Sequence, residues 1–207
     1  MSTSQLGQDL NVLSFYDKKK DGYFIEIGAS DGIYLSNTYL LETQYNWKGI
    51  CVEPIPEKYS KLIENRPNST CYDNAIYHSS NIIIDFDIAN TCDVLSGISI
   101  HIGDVEHLKK EIDKNKSKIQ VKTLSLNDLL EKSNAPRFIE YLSLDTEGSE
   151  YEILRTFNFN KHVFGLIDVE HNYIEPRRSN IRNILLSNGY IYLGQNEFDD
   201  MYKHSSL

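Results

Sequence analysis

Acidic residues at four places in the chain stand in or just after short apolar runs, and their types and spacing define the chemistry open to it. Asp145-Thr146-Glu147-Gly148 follows Tyr141–Leu144, and Asp168-Val169-Glu170-His171-Asn172 ends the next such run. Glu53 closes the run Gly49–Val52, and Glu26 lies within Tyr23–Ile27, just before the small-residue turn Gly28-Ala29-Ser30. Two carboxylates at i and i+2 leaving a sheet edge can bind a divalent ion, or divide metal and base duties between them. Neighbouring parallel strands lie about 5 Å apart, so acids at both strand ends can converge on one ion. Oxygen donors with one imidazole, His171, suit magnesium or manganese better than zinc. A solvated or ligand-binding acidic rim is the competing reading. The turn at Gly28 lets a ligand approach the backbone. A carboxylate about twenty residues beyond such a turn is the arrangement that holds a ribose by its hydroxyls, and Glu53 fits it. Only Gly28 and Gly32 fall in the turn, so the G-x-G-x-x-G pattern of a dinucleotide site is absent, and Glu26 beside it suits a cationic ligand.

These residues need a sheet to present them. Leu6, Leu10 and Leu13 recur at helical spacing, which predicts an amphipathic helix at the front. Asp21-Gly22 breaks it, and Tyr23–Ile27 and Lys48–Val52 read as buried strands. Ser36 or Asn37 caps a helix through Leu41, and Tyr59, Leu62, Ile63 and Arg66 share a face of another that Pro67 stops. Ser69–Ile76 reads as a third strand. The order of helix, strand, helix, strand, helix, strand implies parallel strands joined by right-handed crossovers. Ile82–Phe86, Ser96–Ile102 and Ile119–Leu124 are β-like and separated by the charged stretch Asp104–Lys118. They suggest an irregular β-rich insertion or flap over 77–137. Ser125-Leu126-Asn127-Asp128 resembles a capping box. Phe138–Leu144 and Val163–Val169 are two further buried strands. A helix over Ile181–Leu186 ends at Asn188-Gly189, and Tyr190–Leu193 is a late strand.

A chain of 207 residues fits one domain, with residues 1–22 as an N-terminal helical segment, and it could equally be one domain of a longer polypeptide. A net charge of −9 argues against a nucleic-acid surface, which needs clustered Lys and Arg. Lys18-Lys19-Lys20 reads as the solvated end of a helix. No apolar run approaches the length of a membrane span, and the front lacks the layout of a signal peptide. Cys51, Cys71 and Cys92 read as buried free thiols in a reducing compartment, which makes a cytoplasmic location the expectation.

Taken in order, Ser4–Asp9 (SQLGQD), EIGASDG, Tyr34–Thr38 (YLSNT), GICVEP, SLDTEGSEYEIL and VEHN resemble the FkbM-type methyltransferases, over nearly the whole chain from Ser4 to about Tyr202. The resemblance implies an α/β, Rossmann-like class I methyltransferase fold, with a seven-stranded, mostly parallel sheet flanked by helices and an antiparallel hairpin at its C-terminal edge. It implies S-adenosylmethionine as cofactor and a hydroxyl of a sugar, nucleotide sugar or glycan as methyl acceptor. Glu26 and the turn Gly28, Ala29 and Ser30 would then surround the methionine part, Glu53 the ribose, and Asn74 and Ala75 the adenine, with Asp31, Ser36 and Asp145 as further cofactor-binding residues. The front motif places Gln8 and Asp9 near the site without assigning them a contact. By analogy with related metal-dependent sugar O-methyltransferases, Asp145, Glu170 and His171 would hold the ion and Glu147 would be the base. Tyr34, Tyr173, Arg177 and Arg178 flank these motifs as acceptor-binding candidates, since tyrosines stack on sugar faces and paired arginines suit a phosphate or carboxylate. Two alternatives stand beside this reading. One is a metal-dependent nucleotide-sugar glycosyltransferase, for which Asp145-Thr146-Glu147 resembles a D-x-D motif. The other is a catalytically silent module of the same fold that binds a glycan or partner.

Overall fold

The run Tyr23–Ile27 is apolar except for Glu26, which is what a strand covered on both faces requires. A computed structural model describes residues 1–90, 95–102 and 115–207. In it Tyr23–Ile27 is β1, at the centre of a seven-stranded sheet. After helix α1 (Gln8–Phe15) the chain builds β1, α2 (Tyr39–Tyr45), β2 (Lys48–Val52), α3 (Pro56–Asn65) and β3 (Thr70–Tyr72). It later returns through β8 (Phe138–Leu144), α6 (Glu150–Leu154), β9 (Val163–Glu170), α7 (Arg177–Ser187), β10 (Tyr190–Asn196) and β11 (Asp199–His204). The spatial order is β10-β11-β9-β8-β1-β2-β3. Every neighbouring pair is parallel except β11 with β9 and with β10. This is the predicted sheet with its antiparallel C-terminal hairpin.

The chain leaves β1 towards β2 on one side, while β8 and β9 extend the sheet on the other. The switch in direction lies between β1 and β8, where open α/β sheets form their ligand crevice. Gly28 makes that crevice possible. Its φ is 88°, and a Cβ there would stand 2.0 Å from the Asp145 carbonyl oxygen. Only glycine lets the β1 and β8 ends come this close.

Between the two halves, β4 (Ala75–Tyr77), β5 (Ile83–Ala89), β6 (Gly97–Ile98) with helical turn α4 (Ser99–Ile102), and β7 (Lys116–Ser125) form a second sheet in the order β4-β7-β5-β6. Helix α5 (Leu126–Lys132) leads back to β8, and its cap is the predicted one: Ser125 Oγ accepts from the Asp128 N–H at 3.1 Å. Four expectations change. Ser69–Ile76 is two strands in two sheets, interrupted at Asp73-Asn74, because β4 turns away to pair in parallel with β7. Ser96–Ile102 is strand only at Gly97–Ile98 and helical thereafter. In α1 the inward residues are Gln8, Asp9, Val12 and Leu13, while Leu10 is exposed, so the leucine spacing misidentifies the buried face. Likewise Leu62 is buried while Ile63 points to solvent, and Arg66 lies beyond the end of α3 as its buried C-cap. Cys51 and Cys71 are free thiols, and Cys92 lies outside the described residues, as does most of the charged stretch after Gly103. No helix among the described residues is long and apolar enough to cross a membrane.

Candidate active site

A cleft opens over the β1–β8 switch, and its wall contains most of the acids singled out by spacing. Glu26, Gly28, Ala29, Ser30, Ser36, Glu53, Asn74, Ala75, Asp145, Glu147, Glu170 and Tyr34 all line it. Gln8, Asp31, His171, Tyr173, Arg177 and Arg178 do not.

One side of the cleft is organised by Glu53, which leaves β2 and turns back on the glycine turn. Its Oε2 accepts from the Ser30 N–H at 3.0 Å, and its Oε1 accepts from the Ile55 N–H at 2.8 Å. Asp31 serves the same turn from outside, since its Oδ1 accepts from the Ile33 and Tyr34 N–H groups as an Asx turn does. Asn74, with its amide on the Lys122 carbonyl, and Ala75 continue this wall where β3 gives way to β4. Phe86 and Ile98 of the second sheet face the same space.

Glu26 lies on the cleft floor with its carboxylate fully engaged. Ser36 Oγ, Thr38 Oγ1 and the Asn37 N–H donate to it at 2.8, 2.6 and 2.6 Å, and Arg66 Nη1 reaches it at 3.2 Å. Arg66 also pairs with Glu42 at 2.6 Å. The N-cap position of α2 is Thr38, not Ser36 or Asn37 as expected, and Ser36 Oγ reaches in from two residues earlier to accept from the Tyr39 N–H.

The opposite side is built from β8, β9 and the loop between β8 and α6. Glu147 adopts φ 55° and Gly148 φ 126°, so the loop is sharply folded. Glu150 holds it: one oxygen accepts from the Thr146 N–H at 2.9 Å, the Thr146 hydroxyl at 2.8 Å and the Gly148 N–H at 3.0 Å. Arg177 braces it from outside by donating to the Gly148 carbonyl at 2.5 Å. Asp145, Glu150 and Glu170 each offer an oxygen within 4.8 Å of the others. Glu170 Oε2 is buried and has no hydrogen-bond partner. Glu147 stands next to them and accepts from Asn172 Nδ2 at 3.1 Å.

So many acids with so little compensation must hold protons. Burial first, then the charges of Asp199 and Glu150, push the Asp145 carboxyl up to about 7. Burial, then Asp145 and Glu150, push Glu147 well above the ordinary carboxyl value, and burial followed by Asp145 and Glu147 does the same to Glu170. Asp168, buried against the Tyr141 hydroxyl that donates to it at 2.7 Å, is also raised to about 7 by burial. Clustered acids with raised pKa values in a cleft mark it as a candidate functional site.

The remaining candidates are committed elsewhere. His171 turns away from the acids: its Nδ1 accepts from the Tyr173 N–H at 2.9 Å, and its Nε2 lies 3.4 Å from Asp200 Oδ1. Arg178 pairs with Asp200 at 2.6 Å, and Tyr173 is exposed. Gln8 donates to Asp199 at 2.8 Å and accepts from the Leu6 N–H, while the buried Asp9 gathers the Ser2 and Ser4 hydroxyls. The front motif thus holds residues 2–6 in place, and Gln5 among them lines the cleft. Glu150, Gln5, Asn172 and Lys58 are the residues that spacing did not reveal. Glu150 had a signal, being an acid in the first turn of a helix that follows a loop rich in N–H groups. Gln5 and Asn172 lay inside the SQLGQD and VEHN motifs without being singled out, and Lys58 had no signal.

The family described as "Methyltransferase FkbM domain" matches residues 26–192, which spans the cleft from Glu26 through the β9 acids. Among solved structures, the METTL16 methyltransferase domain (crystal form 2) aligns with a TM-score of 0.51 at 11% identity, covering 97% of this chain and 67% of that one. Precorrin-6y C5,15-methyltransferase from Geobacter metallireducens GS-15 aligns at 0.49 and 11%, covering 94% and 84%. An RNA methyltransferase from Salinibacter ruber, in complex with S-adenosyl-L-homocysteine, aligns at 0.44 and 10%, covering 99% and 92%. No curated protein matches the chain. At 11% identity the first of these likenesses shows the fold alone, a methyltransferase fold. The extent of the family match shows the rest: this chain belongs to the FkbM methyltransferase domain family.

Proposed function

We propose that the cleft binds S-adenosylmethionine and directs its methyl group to a hydroxyl oxygen of a sugar or glycan. The observation that carries the reading is one cleft with two unlike walls. Glu53 and the Gly28–Ser30 turn form a wall suited to a ribose and an amino-acid backbone. Asp145, Glu147 and Glu170 face it as a wall suited to positive charge. The ammonium and sulfonium of the cofactor carry that charge. Phe86 and Ile98 supply apolar surface beside Asn74 and Ala75 for the adenine.

A divalent ion also fits the acidic wall, because three carboxylates converge and Glu170 Oε2 lacks any partner. Asp145, Glu150 and Glu170 are the residues that would hold magnesium or manganese, with Glu150 in the place given to His171 by analogy. Such an ion lowers the pKa of an acceptor hydroxyl, much as it lowers that of water. Glu147 is the proposed base. Burial and the charges of Asp145 and Glu150 raise its pKa, which favours its taking up a proton, and positive charge brought beside it would favour the base form. Its unusual φ and the Asn172 contact fix the carboxyl that must meet the acceptor oxygen. Tyr34, exposed at the rim, and Gln5 are placed to meet the acceptor.

A thermal-shift panel with S-adenosylmethionine, S-adenosylhomocysteine and a nucleotide sugar, each with and without manganese, tests the reading. A ligand at 100 times its Kd stabilises by about 2.7 kcal/mol, and the two adenosyl compounds are expected to do so. Stabilisation by the nucleotide sugar alone would return the site to a glycosyltransferase. Methyl transfer that continues undiminished in excess EDTA would remove the ion from the mechanism.

A further inference from the structure

The sheet carries a row of reactive side chains that the methyl-transfer reading does not use. Residues in register across parallel strands project to the same face. Register therefore lines up Asp168, Ser143, Glu26, Cys51 and Cys71 from β9 to β3. The last two are direct neighbours on β2 and β3, and both are free thiols. Adjacent strands lie about 4.7–4.9 Å apart, inside the Cα separation of about 4.4–6.8 Å that a disulfide spans. β3 is the edge of its sheet, and Cys71 is partly exposed while Cys51 is fully buried. One sulfur is thus open to a small oxidant, and the other waits behind it, shielded from solvent.

The surroundings favour attack at Cys71. An interaction with the Cys51 thiol, and to a lesser degree the charge of Arg66, hold the Cys71 thiol below its ordinary pKa although its burial opposes this. Burial drives Cys51 the other way. A low-pKa, accessible thiol beside a second thiol is the arrangement of an attacking and a resolving cysteine.

We propose that Cys51 and Cys71 form an oxidisable dithiol that closes to an intramolecular disulfide when a peroxide reacts at Cys71. The Cys71 thiolate takes the electrophilic peroxide oxygen, the O–O bond breaks, and hydroxide leaves to be protonated to water. Cys71 is then a sulfenic acid. Cys51 sulfur attacks it, the S–S bond forms, the S–O bond breaks, and a second water leaves with the Cys51 proton. Two thiols are oxidised and one peroxide is reduced to two waters. A thiol reductant reverses the step by exchange.

The test uses the folded full chain carrying Cys92→Ser, so that only this pair can react. It is treated with hydrogen peroxide, quenched, unfolded in the presence of an alkylating reagent and read by intact and peptide mass spectrometry. The expected result is a loss of two hydrogen masses, a peptide joining Cys51 to Cys71, and full recovery with dithiothreitol. In a Cys51→Ser version the sulfenic acid at Cys71 is expected to persist and react with dimedone. Peroxide that leaves both thiols alkylatable, or that carries Cys71 to the sulfinic acid with Cys51 still free, would overturn the proposal.

Discussion

Two sets of buried acids flank the Gly28 turn, and the protein treats them in opposite ways. Beneath the turn, Glu26 and Glu42 share the guanidinium of Arg66, which is itself buried, and hydroxyls and N–H groups fill the remaining lone pairs. Across the cleft, Asp145, Glu147 and Glu170 have each other and a few neutral donors, and their pKa values rise. The chemistry of the side chains is the same on both sides. The difference is whether the fold supplies the countercharge. Where it does, the acids are part of the scaffold and hold α2 and the end of α3 against β1. Where it does not, we propose that the countercharge comes with a ligand, which is the reading under which these acids serve function.

The sharpest way to break the contrast is to remove the countercharge from the first set. Arg66→Met strands two buried carboxylates, and breaking such a pair costs about 3–5 kcal/mol. The urea midpoint should fall accordingly, and a variant as stable as its parent would erase the distinction between the two sets. Next in size is the loss of chemistry on the other side. Glu147→Gln should lower methyl transfer about 10²–10⁴-fold while the affinity for S-adenosylhomocysteine stays within a few-fold. A variant with full turnover would remove Glu147 from the base role.

A smaller effect separates the sets by pH. In the uncompensated set the Asp145 carboxyl is pushed up to about 7 in the folded chain, above the ordinary unfolded carboxyl value. Between those values the folded state binds more protons than the unfolded one, so stability is lost as pH rises. The apo protein should therefore show a falling Tm from pH 5 to pH 8, and a bound cationic ligand should flatten the curve. A Tm that rises over that range would contradict the uncompensated cluster. The smallest effect is a paired comparison at pH 8. Glu170→Gln should raise the apo Tm by about 2–4 °C, the equivalent of roughly 1 kcal/mol, whereas Glu26→Gln should lower it.

Much of this was legible in the sequence because it depends on short range. Strands β1, β2, β8 and β9 are predominantly apolar runs bounded by turn residues, and the acids at their ends need only the strand assignment to be placed together. The Ser125 cap is equally local. The misplaced pieces depend on distant partners. β3 and β4 separate because β7, some fifty residues on, claims Ala75–Tyr77. The polar pair Asp73-Asn74 marks the break without saying where the chain goes. Leu10 faces solvent because Gln8 and Asp9 have partners, at Asp199 and in Ser2 and Ser4, that outweigh the leucine pattern. Arg66 reads as one more residue on a helix face, since nothing nearby in sequence announces that Glu26 and Glu42 meet there. His171 illustrates the reverse case: its position after β9 suggested a metal ligand, but Asp200 and the Tyr173 N–H draw it out of the cluster.

The most direct measurement is a calorimetric titration of the chain with S-adenosylhomocysteine, repeated on Glu53→Ala. The wild-type chain should show saturable binding to one site, and the variant should lose at least tenfold in affinity because it removes both the proposed ribose contact and the hold on the Ser30 N–H. Absence of binding to the wild-type chain, or an affinity unchanged by Glu53→Ala, would contradict the assignment of the cleft.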